Sequence, residues 1–200
     1  MKRVVLLTLA ASALGVGASK ASDKAPVVLI ETSLGNIKVE LDAEKAPITV
    51  KNFLDYVNDK FYDGLIFHRV VPGFVIQGGG FDSNLVEKET KPPIKNEGDN
   101  GLSNTRGTIS MARTPAPDSA TSQFYINLRD NRRLDRDNDP QHAGYCVFGK
   151  VIDGMDVVDK IGEVRTTTKA GTTKDSNRVP LQGIPAENIV IKSIRRVDKS

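Results

Sequence analysis

Residues 67–80 read Phe-His-Arg-Val-Val-Pro-Gly-Phe-Val-Ile-Gln-Gly-Gly-Gly, and they hold the side chains best suited to chemistry. A guanidinium (Arg69), an aromatic ring (Phe74) and an amide (Gln77) fall close together in this run. Arginine offers a permanent charge and several N–H donors in a rigid fork. A ring beside it offers an apolar wall, and the glutamine can both donate and accept. Such a set can grip and polarise an amide, but it has little means of cutting one.

Hydrolysis finds no support elsewhere in the chain. The imidazoles are His68 and His142, and no serine sits in a nucleophile-elbow pattern. Cys146 is the single cysteine, which excludes an internal disulfide and a thiolate zinc set. Flanked by Tyr145, Val147 and Phe148, it reads as a small buried hydrophobe. The Gly78-Gly79-Gly80 run lacks the Lys-Ser/Thr of a phosphate loop, so it marks a turn or a close backbone approach.

Positioning these residues falls to a set of short strands. Val27–Thr32 and Ile37–Leu41 flank Ser33-Leu34-Gly35-Asn36 and predict an opening β-hairpin. Val50, Phe53, Leu54 and Val57 follow Pro47 at i, i+3, i+4, i+7, which predicts an amphipathic helix over 47–58. Strand-like runs follow at 65–71, 74–77, 107–112, 123–128, 145–152 and 187–196, with a second helix over 154–161. Residues 165–182, polar and rich in Thr and Lys, are expected to form an exposed loop. The pattern is mainly β: a closed antiparallel barrel with helices plugging its ends, or a two-sheet sandwich.

The N-terminus has the three parts of a secretory signal peptide. Met1-Lys2-Arg3 is the charged head, Val4–Gly17 the apolar stretch, and small residues follow. Cleavage is expected after Ala18 or Ala21, leaving residues 22–200 as a single domain. An N-terminal membrane anchor is the alternative, but the apolar stretch is short for a span. Removing residues 1–21 lowers 28 basic residues to 25, equal to the 25 acidic ones. The basic balance therefore belongs to the leader, and no nucleic-acid partner is expected.

Four ordered motifs closely resemble the cyclophilin family of peptidyl-prolyl cis-trans isomerases. Beside the first run stand Gly107-Thr-Ile-Ser-Met-Ala-Arg113, Asp118-Ser-Ala-Thr-Ser-Gln-Phe-Tyr-Ile-Asn127, and Val147-Phe-Gly-Lys-Val151 with Gly154-Met-Asp-Val-Val158. The resemblance covers about residues 27–196 and looks most like the bacterial exported branch. It implies a closed eight-stranded antiparallel β-barrel capped by two α-helices, acting as a monomer in the periplasm without cofactor or metal. Its substrates would be proline-containing polypeptides, and no stable membrane insertion would follow leader cleavage.

By the same resemblance Arg69 is the catalytic residue. Phe74, with Val75, Tyr125 and Leu134, would receive the proline ring. Gln77 would bond the substrate backbone and steady the arginine. Ala112, Arg113 and Gln123 would contact the peptide main chain or line its groove, and His68 would line the cleft. Tyr145 stands where many eukaryotic members carry histidine. Arg133 replaces a tryptophan that contacts the inhibitor cyclosporin, so weak inhibition is expected. A peptide-binding holdase without catalysis is the rival reading, although binding alone does not require Arg69.

Overall fold

The computed structural model describes residues 25–137 and 142–197. The leader and its cleavage sites lie outside those residues. Ten strands and two α-helices follow one another in the order predicted for the barrel, with one addition.

The opening hairpin pairs β1 (Val27–Thr32) with β2 (Gly35–Leu41) antiparallel, from Val27–Glu40 to Thr32–Gly35. Helix α1 (Pro47–Asn58) starts on its proline, as the missing N–H permits. No side chain of the neighbouring turn caps it. Glu97, far along the chain, accepts the Ile48 and Thr49 N–H groups at 3.1 and 2.8 Å. A carboxylate there also opposes the positive end of the helix dipole.

Strands β3 (Arg69–Val71), β4 (Val75–Gly78), β5 (Thr108–Met111), β6 (Phe124–Asn127), β7 (Val147–Asp153) and β10 (Ile191–Val197) complete the main sheet. Its order is β10-β1-β2-β7-β5-β6-β4-β3, antiparallel throughout. The seam lies just before the two edge strands. Phe67 N–H donates to Ile189 O at 3.0 Å, and Ile191 N–H to Leu65 O at 2.7 Å. Those bonds, with the Ile66–Val190 bridge, close the eight strands into a barrel. Leu65, Ile66 and Phe67 serve the seam, and β3 begins only at Arg69, so it is shorter than the predicted 65–71.

One face of each strand fills the barrel. Ile30, Ile37, Val39, Ile76, Ile109, Phe124, Ile126 and Phe148 meet Val50, Phe53 and Val57 of α1 in one buried cluster. Helix α2 (Met155–Gly162) adds Val158 and Ile161 to it. Gly154, at φ +84°, turns the chain into α2; a Cβ there would lie 2.2 Å from the Asn36 carbonyl oxygen, so only glycine fits.

The segment expected as an exposed loop is instead a hairpin, β8 (Thr166–Thr172) and β9 (Arg178–Pro185). Polarity suggested a loop, yet threonine is β-branched and favours extended backbone. Residues 178–183 of β9 alternate exposed and half-buried, the pattern of a strand lying on a surface. Ile184 joins Ile66, Phe81 and Leu85 in a satellite cluster, with Leu181 packed against it.

Candidate active site

The outer face of the barrel wall carries the site. Register places Arg69 opposite Gln77, Gln77 opposite Tyr125, and Tyr125 opposite Ser110, in one row across β3, β4, β6 and β5. Their neighbours Val70, Ile76, Ile126 and Ile109 point into the core. Strand alternation therefore makes the row inevitable once the barrel closes.

Above that row lies a cavity of about 260 Å³ lined by Arg69, Phe74, Val75, Gln77, Ala112, Arg113, Tyr125, Leu134 and Tyr145. Phe74 enters it from a tight turn, where its N–H donates to Val71 O at 2.9 Å across Pro72-Gly73. Asn131 holds that turn by donating to the Phe74 carbonyl at 2.9 Å. Opposite, the Arg113 guanidinium lies 4.5 Å from the Tyr145 ring centre, and its Nε donates to Gly144 O at 3.0 Å. The Arg113 side chain thus braces the wall, a role beyond the backbone contact expected of it. Arg133 stacks 4.8 Å from the centre of the Phe74 ring.

Among the described residues Arg69 forms no ion pair. Its Nη1 donates to Gln77 Oε1 at 3.3 Å. Gln77 Nε2 donates in turn to Gln123 Oε1 at 3.0 Å. Gln123 stands beside the cavity wall and meets it through Gln77. The glycine run makes room: a Cβ on Gly80 would come within 2.7 Å of the Gln123 side chain.

His68 is a correction. Its side chain does not line the cleft: the residue is 5% exposed and its ring lies 4.8 Å from that of Phe81. Strand alternation sends it to the face opposite Arg69. Burial, and then the Arg69 charge, push its pKa down to about 4, against smaller contributions from Gln123 and the Ile66 backbone. Its buried Nδ1 has no hydrogen-bond partner among the described residues.

A pH effect follows from that burial. The unfolded chain takes up a proton near pH 6.5, whereas the folded one resists until about pH 4. Stability is therefore lost as pH falls from 6.5 towards 4, by up to about 3 kcal/mol at one pKa unit per 1.36 kcal/mol. Denaturant unfolding of His68→Asn should show a flatter profile over that window; an unchanged profile would refute the assignment.

Beneath the row lies a polar network that the sequence did not reveal. The wholly buried Asn104 accepts from Ser110 Oγ and Tyr125 Oη at 2.8 Å each, and from Asn127 Nδ2 at 3.2 Å. Its own amide donates to Asp135 Oδ1 at 2.8 Å. The Tyr125 hydroxyl thus has its partner, and burial raises its pKa. No periodicity marks Asn104, which sits in an irregular stretch between elements. Elsewhere, His142 pairs with Asp137 at 2.8 Å, while Cys146 packs in the core with Thr49 Oγ1 at 3.3 Å.

Comparisons with known proteins agree with this arrangement. The family described as cyclophilin type peptidyl-prolyl cis-trans isomerase/CLD matches residues 27–195. Peptidyl-prolyl cis-trans isomerase A of Dickeya dadantii (strain 3937) is 55% identical over 172 residues, 86% of this chain and 85% of that protein. Isomerase B of Escherichia coli (strain K12) is 51% identical over 169 residues, 84% of this chain and 98% of that one. The crystal structure of a cyclophilin type isomerase of Cryptosporidium parvum superposes with a TM-score of 0.68 at 26% identity, covering 88% of this chain and 100% of that one. A structure of the same protein in the presence of the dipeptide Ala-Pro gives 0.67 at 27% identity over 86% and 99%.

The chain belongs to the cyclophilin family. It is a peptidyl-prolyl cis-trans isomerase, and its substrates are proline-containing polypeptides.

Proposed function

We propose that the chain is exported through a cleaved leader and accelerates X-Pro rotation in unfolded or extended proteins of the periplasm, assisting their folding. The observation that carries the site assignment is Arg69, unpaired by any described carboxylate, at the edge of a cavity that Phe74 lines. The Cryptosporidium parvum structure obtained in the presence of the dipeptide Ala-Pro is in keeping with a proline-containing substrate.

Twisting a peptide bond costs about 18–20 kcal/mol because it destroys amide resonance. In the twisted state the prolyl nitrogen regains a lone pair and the charge-separated character fades. Arg69 donates to that nitrogen, and Phe74, Val75, Tyr125 and Leu134 enclose the ring. Gln77 aligns the guanidinium, while Ala112, Arg113, Gln123 and Tyr145 border the peptide's path. The Arg69 donation and the apolar walls favour the twisted form over the planar ones, while the remaining contacts hold the peptide in place. No covalent intermediate or redox step arises, so the reaction requires neither metal nor cofactor.

The cellular role is tested by fractionation and by refolding of a secreted client limited by proline isomerisation. Processed protein in the periplasm, cut after residue 18 or 21, together with faster client refolding, supports it. Retention of the intact leader in the cytoplasm refutes the export claim. Cyclosporin should inhibit weakly, because a charged Arg133 occupies the ring face where a tryptophan would offer apolar contact. Inhibition at nanomolar concentrations in a proline-isomerisation assay would contradict this.

A further inference from the structure

A primary amide has nearly the same shape either way round, and its neighbours decide which end is oxygen. Gln77 and Gln123 are two such amides in series. At one end of the pair stands Arg69, whose guanidinium only donates. At the other stands Glu87, whose carboxylate only accepts. The chain of bonds runs in a single sense: Arg69 Nη1 to Gln77 Oε1, Gln77 Nε2 to Gln123 Oε1, and Gln123 Nε2 to Glu87 Oε1 at 3.4 Å.

We propose that Glu87 is a positioning residue for Arg69, acting through both glutamines, and that the β8–β9 hairpin is its mount. The proposal rests on reading Arg69 as the donor to the prolyl nitrogen. Without an acceptor at position 87, Gln123 can turn over, and Gln77 can follow it. Gln77 then presents an NH₂ group to the guanidinium, two donors face each other, and Arg69 swings from its place. Gln123 also raises the His68 pKa slightly, but a neutral imidazole can donate or accept according to its tautomer. It follows the sense of the relay and does not set it.

The hairpin grips both ends of this relay. Glu87 N–H donates to Thr172 O at 2.8 Å, and Glu87 Oε2 accepts the Lys174 N–H at 3.2 Å. Val86 bridges Thr172 in parallel register. At the other end, a Cβ on Gly183 of β9 would lie 3.7 Å from Arg69 Cγ and 2.9 Å from the Val70 carbonyl oxygen. The hairpin backbone therefore passes against the arginine's aliphatic stem. A segment that the sequence presented as a loop becomes the support of the site.

Two variants separate this role from a structural one. Glu87→Gln keeps the shape of the side chain but can offer either end, whereas Glu87→Lys offers only donors and forces the relay to run backwards. A misplacement of 1 Å can cost 10²-fold, so kcat should fall by roughly 3-fold in Glu87→Gln and roughly 10-fold or more in Glu87→Lys, with KM nearly constant. The side-chain amide ¹⁵N–¹H resonances of Gln77 and Gln123 should shift together in both. In an Arg69→Ala background neither substitution should lower kcat further.

Wild-type kcat in Glu87→Lys, an effect confined to KM, or an equal loss in the Arg69→Ala background would overturn the proposal. Impaired Arg69→Ala beside a normal Glu87→Lys would defeat the relay alone. An Arg69→Ala enzyme with undiminished kcat would defeat the assignment beneath it as well.

Discussion

Arg69→Ala is expected to lower kcat/KM for a prolyl peptide by about 10²–10³ while leaving the fold intact, the range set by losing one preorganised donor. An acceleration of ~10⁵ needs about 7 kcal/mol off the barrier, and one such donor supplies about 2.7–4 kcal/mol. The arginine thus accounts for roughly half, and the walls of the cavity for the rest. Arg69→Lys should rescue little, because an ammonium lacks the planar fork. Folding should survive because Arg69 makes no described ion pair and points outward from the barrel. The check is relaxation of a cis-enriched peptide, with thermal unfolding measured alongside. Full activity in the alanine variant would refute the assignment.

Asn104→Ala is expected to cost about 3–5 kcal/mol of stability, since buried donors left without acceptors cost roughly 1–3 kcal/mol each. Ser110 Oγ, Tyr125 Oη and Asn127 Nδ2 all converge on its oxygen. Asp135 would lose its amide donor too, although the Asn104 backbone N–H still reaches it at 2.7 Å. Tyr125 lines the cavity, so its loosened hydroxyl should also reduce activity. Denaturant unfolding gives the stability change. Pairing Asn104→Ala with Tyr125→Phe should recover part of it, because one stranded donor disappears. A loss below 1 kcal/mol would show that water or rearrangement satisfies the network.

Most of the strands and both helices were legible because their signals are local. Pro47 with apolar positions at helical spacing marks α1, and alternation marks β2. The row Arg69–Gln77–Tyr125 was half legible: the residue types were visible, but register across three strands is a property of the closed barrel. Asn104 and Glu87 were not legible. Apart from Ser110, the side chains that Asn104 joins lie 21 to 31 residues away, and Glu87 meets Gln123 36 residues on, so no local pattern marks either. His68 was misread because it adjoins Arg69 in sequence, whereas successive strand residues face opposite sides. The 165–182 segment forms a hairpin where its polarity suggests a loop, because threonine is polar and β-forming at once.

The seam carries a consequence for how the molecule comes to exist. β1 finds one of its two neighbours in β10, and residues 65–67 find theirs at 189–191. β1 therefore keeps a bare flank until β10, more than 150 residues further along, has been made. Contacts so distant along the polymer form slowly and late. Assembly of the sheet should therefore wait on β10, and removal of residues 191–197 should strip β1 of that ladder and the core of Ile191 and Ile194.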